Sequence, residues 1–153
     1  MRRLARTGLV VAVAWMSAGC SGGPEFGAAR VVIQGSSGPV AVRAAVASNE
    51  AGRERGLMGV SSVPADGGMV FLFSSPTTRG FWMKDTKVPL SAAFWDRSNR
   101  IVTILDMVPC RRDPCPLYWP GHAYTGALEV NKGFFARHSV KVGDAVAVDR
   151  KRG

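Results

Sequence analysis

The sequence predicts a mainly β protein: a compact antiparallel β-sandwich or barrel with one or two short helices. Three observations lead there. About eight short apolar runs recur at near-regular spacing between Arg30 and Val148, Gly- and Pro-rich turns separate them, and helical stretches are few and brief, as in sandwiches and barrels. The chain has 153 residues, 46% of them hydrophobic, with seven Phe, four Trp and two Tyr, which suffices for one core. That composition argues against wholesale disorder. Its apolar runs fall short of the ~20 residues a membrane-spanning helix needs, so the sequence excludes a polytopic membrane protein, and its length excludes a large multidomain enzyme.

The elements follow in order. Residues 1–19 read as an export signal: Arg2, Arg3 and Arg6 form a basic n-region, and Gly8 to Met16 a short apolar stretch. Ser17-Ala18-Gly19 then places small residues before Cys20. This run resembles a bacterial lipoprotein signal, which implies lipidation of Cys20, with Ser17 where Leu is usual. Residues 20–27 follow as the lipidated cysteine and a flexible, Gly- and Ser-rich tether, residues 28–149 as one β-rich domain, and residues 150–153 as a basic tail.

Within the domain, Arg30–Ile33 and Val40–Val46 flank the turn Ser36-Ser37-Gly38-Pro39 and predict a hairpin. Asn49 caps a helix over Glu50–Arg55 that Gly56 stops. A helix of that length is unstable alone, so Leu57 and Met58 must anchor it. Gly68–Phe73 is a continuous apolar run, expected to be buried on both faces. Gly80–Met83, Ser91–Trp95, Ile101–Leu105, Ala123–Val130 and Ala145–Val148 supply the remaining extended segments, and Gly133–His138 one helical turn.

Ordered blocks along this stretch resemble a known family. They are Arg55-Gly56-Leu57-Met58, Gly68-Met69-Val70-Phe71, Phe81-Trp82-Met83-Lys84-Asp85-Thr86, Pro89-Leu90, Cys110…Cys115-Pro116-Leu117-Tyr118, Leu128-Glu129-Val130 and Lys141-Val142-Gly143-Asp144. In order and spacing they are similar to the domain of unknown function 192, from about Val31 to Val148. The resemblance implies a compact β-rich domain, often exported, and no particular activity. The family usually has Asn where Asp85 stands, a more acidic helix at Ala51-Gly52, and more often an aromatic residue and Val at Gly126-Ala127.

Charge and cysteines bear on location. The net charge is +9, but Arg2, Arg3, Arg6 and Arg150-Lys151-Arg152 lie at the ends, and residues 28–149 hold 14 basic and 10 acidic side chains. Export removes cytosolic nucleic acid as a partner. The membrane is reached through the N-terminal lipid, and an envelope polymer, a small ligand or a protein is the expected partner. With Cys20 acylated, Cys110 and Cys115 form an even pair, which in an oxidising envelope reads as a disulfide. A lone C-x4-C without nearby His is poor zinc spacing.

The best candidate site is Trp82, Lys84, Asp85 and Thr86, an aromatic face beside a donor, an acceptor and a hydroxyl, joined by the Tyr118-Trp119 loop and by Glu129. The bland alternative packs Phe81 and Met83 in the core and closes a turn with Asp85 and Thr86. Met58, Met69, Met83 and Met107 with His122 and His138 invite a copper site, but each Met lies in an apolar run where gap-filling is the ordinary use. The expectation is therefore no metal and no cofactor. The chain lacks a Gly-x-Ser-x-Gly elbow and a His-Glu-x-x-His helix, and no catalytic residue is assigned. The sequence thus points to an extracytoplasmic, lipid-anchored binding or accessory module of the cell envelope. The alternatives are an envelope enzyme on polysaccharide or lipid, with Asp85 and Glu129 as its acids, and a structural module for a protein partner.

Overall fold

The structure is a computed structural model and describes residues 24–150. The export signal, Cys20, the first residues of the tether and residues 151–153 of the tail lie outside the described residues.

The chain opens with the expected hairpin: β1 (Ala29–Gly35) runs antiparallel to β2 (Gly38–Ala47), with Gly35 opposite Gly38 across a two-residue loop. Helix α1 (Glu50–Arg55) follows, its N-terminus capped by the Asn49 side chain, which accepts a bond from Gly52 N at 2.8 Å. Gly56, at φ 47, ends it. Strand β3 (Gly67–Thr77) then lies parallel to β2. After β4 (Phe81–Trp82) come β5 (Leu90–Trp95), β6 (Ile101–Met107), β7 (Leu117–Tyr118), β8 (Tyr124–Asn131), the short helix α2 (Phe134–Arg137) and β9 (Ala145–Arg150).

Seven strands form one sheet in the order β6-β5-β8-β3-β2-β1-β9, and β4 and β7 form a separate two-stranded ribbon. The expected class holds, with two corrections. The sheet is mixed rather than wholly antiparallel, because residues 48–66 carry the chain back over α1 to start β3 at the same end as β2. A parallel pair requires such a crossover. Nor is it a closed barrel: the edge strands β6 and β9 meet only through a bridge between Arg100 and Ala145. The extended segment at Phe81-Trp82 does not join the main sheet but pairs with Leu117-Tyr118.

Side-chain alternation divides the interior. On one face Val31, Ile33, Val42, Val70, Trp95, Leu128 and Val130 pack beneath Phe134 and Phe135 of α2. On the other, Met69, Phe71, Phe81, Met83, Phe94, Met107 and Tyr124 pack with Leu57, just past α1. Leu57 is buried, so it anchors the helix as its position requires. Strands β3 and β5 feed both clusters from alternate residues, which is why their sequences read as continuous apolar runs. Phe26 packs against the second cluster, and Gly27 N donates to Ala44 O at 3.2 Å.

Candidate functional site

Helix α1 and its exit do not seal the second face. Between them, β3 and the Arg79–Trp82 segment lies a cavity of about 170 Å³. Its apolar walls include Leu57, Phe71, Phe73, Phe81 and Tyr124, and its polar groups include Glu50, Arg53, Arg79, Thr86 and Glu129.

Glu129 lies in the middle of β8, opposite Met69 of β3 and Ala92 of β5. Alternation turns it toward the aromatic cluster, and only 4% of it is exposed. Among the described residues no hydrogen-bond donor to its carboxyl is found, and burial alone pushes its pKa up to about 8. At neutral pH it is therefore a protonated acid, able both to donate and to accept. Tyr124, which also lines the cavity, is buried too; its hydroxyl donates to Arg79 O at 2.8 Å, and burial raises its pKa to about 12.

The mouth is built on Glu50, the first residue of α1. Its two carboxylate oxygens accept bonds from Arg53 Nη2 at 2.9 Å and from Arg79 Nη1 at 2.6 Å. These bonds, Arg53 first, hold its pKa below the usual carboxylate range. Arg53 also donates through Nη1 to Ser48 O and Leu72 O, and its guanidinium lies 5.0 Å from the centre of the Phe73 ring. Its Nε is buried without a partner. Arg53 thus ties the helix to β3, while Arg79 reaches the helix from the other side of the opening.

The residues singled out in the sequence divide between this cavity and its surroundings. Trp82, Thr86 and Glu129 line it; Lys84, Asp85, Tyr118 and Trp119 do not. Asp85 is exposed, with φ 52, in a turn closed by Thr86 N donating to Met83 O at 3.3 Å. Its carbonyl accepts from Gly59 N at 2.9 Å. Thr86 is buried, and its Oγ1 donates to Lys84 O at 3.3 Å. Tyr118 accepts from Val108 N through its hydroxyl at 3.2 Å. Trp119 lays its indole over Gly80, where an added Cβ would come within 3.1 Å of the ring. Arg53 and Arg79 escaped sequence reasoning, because both act through Glu50 and Arg79 is separated from it by 29 residues. The one sign was Glu50 in the first turn of a short capped helix.

The disulfide Cys110–Cys115 is formed. Asp113 lies near the two sulfurs, but they are bonded to each other and offer no thiolate to a metal. The methionines and histidines of the copper idea have other surroundings. Met69, Met83 and Met107 are core, His122 Nδ1 lies 3.2 Å from Thr103 Oγ1, and His138 stacks on Phe134.

Two solved structures share the fold. A protein of unknown function from Novosphingobium aromaticivorans superposes with a TM-score of 0.72 at 30% identity, over 77% of this chain and 83% of that one. A protein described as a candidate transcription regulator from Sinorhizobium meliloti gives 0.74 at 28% identity, over 81% of this chain and 95% of that one. No curated protein matches the chain. Residues 31–148 match the family DUF192, Uncharacterized ACR, a span that takes in all of the sheet but the ends of β1 and β9, and the chain belongs to this family.

Proposed function

We propose that the chain is an extracytoplasmic, lipid-anchored binding or accessory module of the bacterial cell envelope, with the cavity beside α1 as its ligand site. The leader ending at Cys20 supports the envelope, as does the Cys110–Cys115 disulfide, a bond that persists in oxidising compartments. One observation carries the ligand site: the unpartnered carboxyl of Glu129 on the wall of a cavity whose mouth bears exposed Glu50 and Arg79. Burying a polar group without a hydrogen bond costs on the order of 1–3 kcal/mol. A position serving the core alone would carry Leu or Met.

The cavity is close in size to the ~150 Å³ apolar cavity known to hold benzene, which sets the ligand at roughly six to ten non-hydrogen atoms. Its body lies against Phe71, Phe81 and Tyr124, and its polar group meets Glu129. Benzyl alcohol, benzoate and benzamidine share one ring and differ in charge, so they are suitable probes. Methyl NMR should show at least one of them shifting Met58 and Leu57, which line the cavity, with the shifts lost in Glu129→Leu. No shift from any of the three contradicts the reading.

A proton held up to about 8 also suits a general acid, so an envelope enzyme on polysaccharide or lipid is the second reading. Asp85, outside the cavity, is then not the partner of Glu129. Turnover of purified envelope polysaccharide or lipid that survives Glu129→Gln would remove it.

A further inference from the structure

The β4–β7 ribbon has one face in the core and one outside. Phe81 pairs with Tyr118 and faces inward; Trp82 pairs with Leu117 and faces outward. Trp119 continues the outer face, its indole held against Gly80. Trp82, Leu117 and Trp119 are 45%, 47% and 60% exposed, and Val108, whose N–H meets the Tyr118 hydroxyl, is 50% exposed. Among the described residues these are all but one of the large exposed hydrophobics, the other being Val142. Chance exposure scatters such residues singly; here Trp82, Leu117 and Trp119 share one face of the ribbon.

The margin of this face is basic. Lys84 Nζ lies 5.7 Å from the centre of the Trp82 ring. The disulfide loop carries Arg111 and Arg112, and its Asp113, Pro114 and Cys115 form a groove with Trp82 and Leu117. Lys84, Arg111 and Arg112 thus outnumber Asp113 and Asp85, the exposed neighbour of Lys84.

We propose that the outer face of the β4–β7 ribbon rests on the headgroup region of an anionic lipid bilayer. Two features favour a bilayer over a protein. Tryptophan, an apolar body with one polar N–H, is the residue enriched at membrane–water boundaries. Basic side chains beside it match anionic headgroups. Phe26 packs in the second-face cluster that Phe81 and Tyr118 of the ribbon also enter. Pro24 and Phe26 share a groove with Arg55 and Met58, and those two line the cavity together with Trp82. Cys20 precedes Pro24 by four residues, a span of at most about 14 Å. Where Cys20 carries lipid, the bilayer lies within that span of Pro24, close to the second face of the domain.

Tryptophan quenching by vesicles with brominated acyl chains tests this on the full chain. Trp15→Phe removes the leader's signal, and buried Trp95 supplies an unquenched background. On vesicles of phosphatidylglycerol and phosphatidylcholine, emission from Trp82 and Trp119 should fall. The loss should be relieved by Leu117→Glu and by the triple variant Lys84→Glu, Arg111→Glu, Arg112→Glu, each first shown to melt as the parent does. Emission that stays unquenched overturns the proposal and leaves the face to a protein partner. If the chain nevertheless sediments with the vesicles, the anchoring and the ligand cavity stand without it.

Discussion

Glu129 has hydrocarbon on either side, from Met69 and Ala92, and a cavity before it. Its proton is held up to about 8 in the fold, against an ordinary value of 4.5. Between these values the folded state binds more protons than the unfolded one, so stability falls as pH rises. The stabilising effect of the proton is complete below about pH 4.5 and gone above about pH 8, a swing on the order of a few kcal/mol. Thermal unfolding followed from pH 4.5 to 8.5 should therefore show a declining Tm in the parent and a much flatter profile in Glu129→Gln. Parallel profiles would mean that the carboxyl is hydrated or partnered, and the cavity would lose its chemistry. Asp85 shows the opposite case, a residue that looked chemical and is conformational. At φ 52 it is the third residue of the Met83–Thr86 turn, a position that favours residues tolerating the left-handed region, Gly and Asn first. Asp, like Asn, is a short polar side chain that accepts this backbone.

At the scale of elements, local signals were legible and distant ones were not. Asn49 and Gly56 bracket α1 because caps are read within a few residues. The hairpin β1–β2 and the buried run of β3 were equally plain. The parallel pairing of β2 and β3 was not, because either direction suits the same apolar pattern once the connection is long. Strand β7 has two residues, too few for any period, and exists only by pairing with β4. Gly126 is legible once its partner is known. It pairs with Trp95, and a Cβ at Gly126 would overlap the Trp95 indole. Gly126→Ala should therefore cost about 1–3 kcal/mol by overpacking. The cost should largely vanish in the Trp95→Phe background, measured as non-additivity in a urea double-mutant cycle. Additive losses would show that the indole has room to move.

For the whole molecule, the sheet positions the site. One face is covered by α2, whose Phe134 and Phe135 join that cluster. The other is covered by α1, its exit and the β4–β7 ribbon, and that composite cover leaves room for a cavity over the aromatic cluster. The sequence reading found Trp82, Thr86 and Glu129 because aromatic, hydroxyl and acidic residues within apolar strands stand out. It missed Arg53 and Arg79 because surface arginines do not, and their partner Glu50 is fixed only by the fold.

The most direct test compares native and denaturing mass spectra of the protein taken from the bacterial envelope. The account predicts a chain beginning at acylated Cys20 with one disulfide. In the native spectrum it should carry a small additional mass that is lost on denaturation and absent from Glu129→Leu. A native mass equal to the denatured one, or an extra mass retained by Glu129→Leu, would contradict the claim that Glu129 and its cavity hold a ligand.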